Sequence, residues 1–348
     1  MKCWKRTGNT CRIFSREAER MKKKYVLGVD GGGTKTHCAL FDTEGNKIDL
    51  ISWGTTNHEN LRDGFIGLKR ELESMTSLIL EKNGVSNEQI RNAVFGLAGV
   101  DTKTQQAVIS NIISEIGFKK HHVCNDAYLG IKAGSKKGYG ICAVNGTGCS
   151  VTGISPSGRC IQIGGLGELT GDKGGGSYLG ATVIGTIYNS LFKDGKQTLM
   201  KDLLFDELKI TSRYEFIDTI MQKLSSGEIR ISDLNRIAFA AANMGDEKAI
   251  EILTEMGKDI ASMINGAIRE LEPDFEDSID VVLAGSIHVK GENPTATETI
   301  KHCVRERNKN RAINFVVLEK PPVAGAVIWA LSEERGCPDM YEKVLAQF

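Results

Sequence analysis

One plan is written twice along this chain. Residues 25–30 (Tyr-Val-Leu-Gly-Val-Asp) read as a buried strand, Gly31-Gly32-Gly33-Thr34 as a sharp turn, and residues 37–42 and 47–53 as two further strands around a Glu44-Gly45-Asn46 turn. A helix is expected over 61–82, with Leu72, Met75 and Ile79 on one stripe and Asn83-Gly84 as its stop. Ser86 and Gln89 have capping-box spacing; a strand at 92–99, a helix at 101–116 and a strand at 121–125 follow. The pattern then restarts, with strands at 139–145, 149–154 and 159–163 joined by Gly146-Thr147-Gly148 and Ser155-Pro156-Ser157-Gly158. A glycine-dense loop at 164–176 leads to a helix at 177–193 and a charged, mostly helical stretch at 200–272, where Ile250, Leu253, Met256, Ile260, Ile264 and Ile268 recur at helical spacing. Strands at 279–284 and 312–318 and a helix at 321–332, opening with Pro321-Pro322, complete the order. Two meanders, each continued by helix–strand units, predict a two-lobed α/β molecule with a cleft between the lobes.

The length of 348 residues suits two domains. No uninterrupted run of ~18 apolar residues occurs, so no membrane partner is expected. Lys+Arg and Asp+Glu both number 44, which gives no reason to expect nucleic acid. Glycine is the outlier, 39 against 6 prolines, and points to tight turns and close backbone approach to a ligand. The zero net charge hides an asymmetry: residues 1–24 hold nine basic and two acidic side chains, so this leader carries +7 and the remainder −7. It has no apolar core of a secretory signal and reads as a basic, disordered leader; Met21 just before the first strand suggests an upstream extension of the natural start, with a transit peptide as the alternative. The nine cysteines form no Cys-x-x-Cys pair and read as reduced thiols of a cytoplasmic protein.

Five segments carry chemistry. Asp30-Gly31-Gly32-Gly33-Thr34-Lys35-Thr36 places side-chain-free N–H donors and a hydroxyl between two strands, as phosphate binding requires, with Asp30 placed to hold Mg²⁺ through water. The alternative is an ordinary hairpin, for which three glycines are an expensive choice in backbone entropy. Asn145-Gly146-Thr147-Gly148 occupies the corresponding place in the second half, and two such turns could grip one polyphosphate. Val123-Cys124-Asn125-Asp126-Ala127 sets a carboxylate at a strand end, where Asp126 is either a general base or a helix N-cap. The loop from Gly164 to Gly176 carries Glu168 and Asp172 and is either a ligand wrap or a surface connection. Trp53-Gly54-Thr55-Thr56-Asn57-His58 offers Asn57 to a sugar or to an Asx-turn. No Walker A pattern and no His-Glu-x-x-His is present.

Together, Gly31-Gly32-Gly33-Thr34, Thr56-Asn57-His58, Asn125-Asp126-Ala127, Gly146-Thr147-Gly148 and Gly164-Gly165 through Gly171-Asp172 resemble the N-acetylglucosamine kinases grouped with the BadF/BadG/BcrA/BcrD ATPases, over about residues 25–335. The resemblance implies the two-lobed actin-like (ribonuclease H-like) ATPase fold with duplicated α/β domains around a central cleft: an N-terminal lobe of 25–136 plus 320–348 and a C-terminal lobe of 137–319. It implies ATP and Mg²⁺, transfer to the 6-hydroxyl of an amino sugar, and a homodimer. Asp126 matches the catalytic base. Asn57, Gly165 and Asp172 match residues that hold the hexosamine, with Leu166 beside them. Asp30, Gly31, Gly32, Gly33, Thr34 and Lys35 form the first phosphate motif, Gly146, Thr147 and Gly148 the second, and Ala284, Gly285 and Ser286 the adenosine motif. Leu166 stands where the animal enzyme has Trp, and Lys173 replaces Glu in its Gly-Asp-Glu-Gly. N-acetylglucosamine, N-acetylmuramic acid, glucosamine and glucose therefore stay open as sugars. The rival is the branch that activates a partner dehydratase by electron transfer, with an iron–sulfur cluster shared between subunits. A repressor would need a DNA-binding domain larger than residues 1–24, and an actin-type polymer would leave Asn57 and Asp172 without a purpose.

Overall fold

The computed structural model describes residues 23–275, 278–335 and 340–348. The expected disordered leader falls, apart from Lys23 and Lys24, outside the described residues. The chain divides into two compact units, one formed by the residues up to Lys136 with Lys320–Phe348, the other by Lys137–Glu319.

The first unit opens with β1 (Tyr25–Gly31), β2 (Thr36–Asp42) and β3 (Lys47–Trp53), then α1 (Gly64–Asn83), β4 (Ile90–Leu97), α2 (Lys103–Glu115), β5 (His121–Cys124) and α3 (Ala127–Gly134). Its sheet runs β3-β2-β1-β4-β5. The meander β1–β2–β3 is antiparallel, while β4 and β5 continue parallel to β1. The second unit contains β6 (Gly140–Asn145), β7 (Cys149–Ile154), β8 (Cys160–Gly164), α4 (Gly176–Phe192), α5 (Leu199–Leu208), α6 (Phe216–Ser225), α7 (Asn235–Asn243), α8 (Glu247–Leu271), β9 (Ser278–Ala284), α9 (Ser286–Lys290), α10 (Thr295–Arg307) and β10 (Ala312–Val317). Its sheet runs β10-β9-β6-β7-β8, again an antiparallel meander extended by two parallel strands. The duplicated plan legible in the sequence is therefore a duplicated sheet topology. The chain ends with α11 (Val323–Arg335) and α12 (Met340–Leu345), which belong to the first unit.

Alternation of side chains along a strand explains why the first sheet is buried on both faces. Leu27 and Val29 of β1, with Cys38 and Leu40 of β2, pack with Leu68, Leu72, Met75 and Ile79 of α1. Val26, Ala39 and Phe41 point the other way, onto Val323, Ala326 and Val327 of α11. In the second unit the long helix α8 carries the core, with Leu253, Met256, Ile260, Ile264 and Ile268 all buried. Ile250 departs from that expectation. It is 37% exposed in the first turn of α8, while Asp246 caps the helix through the Ala249 N–H at 2.8 Å.

Element ends differ from expectation by up to three residues. The helix expected from 61 begins at Gly64, because residues 54–60 stay in turns tied to the first glycine turn, as described below. The helix expected from Pro321 begins at Val323, with the Pro321 and Pro322 carbonyls accepting the Ala324 and Gly325 N–H groups. No helix among the described residues is long and apolar enough to cross a membrane.

Candidate active site

In the first unit the parallel order β1-β4-β5 places three carboxylates at neighbouring strand ends. Asp30 lies at the end of β1, Asp101 four residues beyond β4, and Asp126 two residues beyond β5. In open α/β sheets this carboxyl edge is where ligands collect. Asp126 is half-buried. Its side chain makes no capping hydrogen bond to α3. That work is done by Asn125, whose Oδ1 accepts the Ala127 N–H at 3.0 Å. Asn125 Nδ2 in turn donates to Asp101 Oδ1 at 3.0 Å. Burial pushes the Asp126 carboxyl up to about 7, and the charges of Asp30 and then Asp101 add to the rise. Asp126 thus occupies the N-cap position of α3 without a side-chain capping hydrogen bond.

The first glycine turn has its carbonyls tied and its donors spare. Gly32 O accepts the Thr55 hydroxyl at 3.2 Å and Gly33 O accepts Asn60 Nδ2 at 2.8 Å. Gly32 N–H bonds back to Lys35 O at 2.9 Å. The N–H groups of Gly33, Thr34 and Lys35 have no backbone partner among the described residues, and all three residues are exposed. Gly31 has no room for a side chain, since a Cβ would lie 2.3 Å from Thr56 Oγ1. Asn57 is buried beside it. Its Oδ1 accepts the Glu59 N–H at 2.9 Å, the Asx-turn foreseen as the alternative, while its Nδ2 has no hydrogen-bond partner among the described residues. The Asx-turn reading of Asn57 therefore holds on Oδ1, and Nδ2 is left over as a donor. Gly99 backs it closely, because a Cβ there would stand 2.6 Å from Asn57 Oδ1.

The second unit repeats this arrangement with a helix in place of side chains. The carbonyls of Gly146 and Thr147 accept the N–H groups of Gly176 (2.8 Å) and Ser177 (3.0 Å), the first residues of α4. The N–H groups of Thr147 and Gly148 have no backbone partner among the described residues, and a Cβ on Gly146 or Gly148 would meet open space. Asn145 organises the surroundings. It is fully buried, and its Oδ1 accepts the Gly175 N–H at 2.7 Å. Gly285, at φ +95°, packs against its backbone so closely that a Cβ would lie 2.4 Å from Asn145 O. The glycine of Ala284-Gly285-Ser286 is thus required by contact between chain segments. Ser286 opens onto a cavity of about 660 Å³, lined also by Phe239, Ala240, Ile287, Lys290 and Gly291. In the glycine-dense loop, Asp172 Oδ2 accepts the N–H groups of Gly165 (2.8 Å) and Gly167 (3.0 Å), so this carboxylate shapes the loop. Leu166 is 53% exposed at its crest.

The sequence profile of the BadF/BadG/BcrA/BcrD ATPase family matches residues 27–330. The chain belongs to this family. It is similar to an N-acetylmuramic acid/N-acetylglucosamine kinase of Clostridium acetobutylicum, 27% identical over 318 residues, which cover 89% of this chain and 99% of that protein. It is also similar to an N-acetyl-D-glucosamine kinase of Dictyostelium discoideum, 23% identical over 90% of this chain and 100% of that protein. Among solved structures, a Chromobacterium violaceum protein provisionally described as an N-acetylglucosamine kinase superposes with TM-score 0.65 at 20% identity, over 88% of this chain and 99% of its own. A ROK family glucokinase of Streptomyces griseus, solved with glucose and AMPPNP, gives 0.56 at 16% identity, over 88% and 98%. These likenesses place the chain in the fold of the actin-like sugar kinases.

For this member of the BadF/BadG/BcrA/BcrD ATPases, the first unit holds Asp30, Gly31–Lys35, Asn57 and Asp126, and the second holds Gly146–Gly148, Gly165, Leu166, Asp172 and Ala284–Ser286. Sequence reasoning missed Asp101, the clamping role of Asn125 and the organising role of Asn145. Asp101 had a signal: like Asp126, it is a carboxylate just past a strand that reads as parallel. No disulfide joins the described cysteines. Cys38 and Cys149 are buried, which holds their thiols protonated far above the usual range.

Proposed function

We propose that the protein transfers the γ-phosphoryl group of MgATP to the 6-hydroxyl of an amino sugar, N-acetylglucosamine foremost. The observation that carries this reading is Asp126, a carboxyl at the carboxyl edge of the parallel strands β1, β4 and β5, without a side-chain capping hydrogen bond and raised to about 7. Proton abstraction from an alcohol is best served by a base whose pKa lies near the working pH. The sugar O6 bonds to the γ-phosphorus, its proton passes to an Asp126 oxygen, the bond from that phosphorus to the β–γ bridging oxygen breaks, and ADP leaves.

The remaining demand in such a transfer is positioning and charge stabilisation. Spare N–H donors in the Gly33–Lys35 and Thr147–Gly148 turns suit phosphate oxygens, and Thr34 adds a hydroxyl. Among the described residues no three His, Cys, Asp or Glu side chains converge to hold a metal. Asp30 is the residue that would hold a Mg²⁺ arriving with the nucleotide, and the ion would neutralise phosphate charge there. The cavity beside Ser286 is of a size for the nucleoside end. Asn57 Nδ2 suits a sugar hydroxyl or acetamido oxygen, and the Gly165–Asp172 loop supplies further sugar contacts. The kinases of Clostridium acetobutylicum and Dictyostelium discoideum, both named for N-acetylglucosamine, support the choice of sugar. A cytoplasmic homodimer belongs to the same reading, checked by sedimentation.

The test is ADP release from MgATP with N-acetylglucosamine, N-acetylmuramic acid, glucosamine, N-acetylmannosamine, glucose and no sugar. Release that depends on one amino sugar supports the kinase and names its substrate. Slow release indifferent to sugar overturns it in favour of the partner-activating ATPase.

A further inference from the structure

The carboxyl edge of the first sheet contains a polar relay that the phosphoryl-transfer chemistry does not require. Asp101 is anchored from α2, where its N–H donates to Gln105 Oε1 at 3.1 Å. Gln105 also closes the capping box of that helix with Thr102. Asp101 Oδ1 then receives Asn125 Nδ2 at 3.0 Å, and Asn125 Oδ1 receives the Ala127 N–H, also at 3.0 Å. Asn125 is buried, and both ends of its amide are engaged, so its rotamer is fixed by its two partners. The segment thereby held is the two-residue joint between β5 and α3, and Asp126 is its second residue, next to the Ala127 amide that Asn125 holds.

We infer that Asp101 is a positioning residue, which acts through Asn125 to lock the β5–α3 joint and so fixes the direction in which Asp126 presents its carboxyl. This rests on the reading of Asp126 as the base. The physical argument concerns the alternative placement of Asn125. Without an acceptor at 101, the buried Nδ2 would lack its partner, and leaving a buried donor unsatisfied favours rotation of the whole amide. Rotation takes Oδ1 away from the Ala127 N–H, and the first turn of α3 is then free to take its cap from the nearest carboxylate, Asp126 itself. A base drawn into capping is neither aimed nor free. A small angular error in a reacting group is enough to lower turnover strongly while leaving substrate affinity alone.

Two variants separate the contact from the charge. D101N retains an oxygen able to accept from Asn125; D101A does not. The expected result is that D101A loses at least ~10-fold in kcat, with KM for ATP and sugar within about threefold, and that D101N recovers most of the loss. Hydrogen exchange at the Ala127 amide is expected to speed up at least ~10-fold in D101A and to stay near the parental rate in D101N. D101A turning over at the parental rate, or D101N as impaired as D101A, would overturn the inference, as would Ala127 exchange unchanged in D101A. If the parent itself shows no sugar-dependent ADP release, the kinase reading fails on its own, and the exchange measurement still decides whether Asp101 locks the joint.

Discussion

Burial and then the charges of Asp30 and Asp101 raise the Asp126 carboxyl to about 7, and both its chemistry and its effect on stability follow from that. On the proposed reading of Asp126 as base it works only when deprotonated, so kcat/KM is expected to fall about tenfold per pH unit below about 7. As part of the fold it has the opposite sign. A carboxyl whose pKa is raised on folding is most favourable at low pH, and its contribution is lost as pH rises from the ordinary carboxylate value through 7. Asp126→Asn is therefore expected to lose at least ~100-fold in turnover and to melt higher than the parent at pH 8, by a margin that shrinks toward pH 4; normal turnover in this variant would remove Asp126 as base. His288 in α9 provides the counter-case. It is buried with neither ring nitrogen hydrogen-bonded among the described residues, and burial pushes its pKa down to about 4. A depressed histidine pKa gives stability that is complete above the unfolded value near 6.5 and is lost as pH falls from there toward 4, a total of about 3 kcal/mol. His288→Leu should flatten that part of the melting-temperature profile, and an unchanged slope would contradict the assignment. None of this is readable from residue types, because burial and neighbouring charge are properties of the packed chain.

At the scale of elements, the second phosphate turn depends on the docking of α4. Gly175, at φ +88°, lets the helix enter so close to the turn that a Cβ would stand 2.6 Å from Gly148 Cα. Gly175→Ala is expected to push α4 off the Gly146 and Thr147 carbonyls and raise KM for ATP at least ~10-fold. Gly185→Ala, inside the same helix with nothing within 4 Å of its Cβ, should leave KM alone and add about 0.5–1 kcal/mol of stability. Initial-rate kinetics on both variants would decide it, and equal KM values would sink the docking argument. The order of elements was legible because periodicity and glycine turns are local signals. The late start of α1 was not, because it follows from hydrogen bonds made by Thr55 and Asn60 to a turn more than twenty residues earlier. The exposure of Ile250 was hidden for a similar reason, since spacing reports a face of a helix and not how far its neighbours extend along it.

For the whole molecule, a ligand that binds only the native state raises stability by mass action. MgATP at about a hundred times its Kd should add about 2.7 kcal/mol, or roughly 3–4 °C in melting temperature for a chain of this size, and EDTA should reverse the gain. A melting temperature indifferent to MgATP would count against the phosphate turns as a nucleotide site. The duplicated meander, the two glycine turns and the carboxylate after β5 were determined by the sequence alone, since each is a short run whose residue types have few other uses. The tertiary structure alone decided that β1, β4 and β5 lie side by side, which brings Asp101 into line with Asp30 and Asp126. It also decided that Asp101 anchors the Asn125 side chain, and that Gly285 serves contact with Asn145. The contacts Asp101–Asn125 and Asn145–Gly285 join residues 24 and 140 positions apart, and no local pattern of hydrophobicity or turn chemistry encodes which distant segments will meet when the cores close.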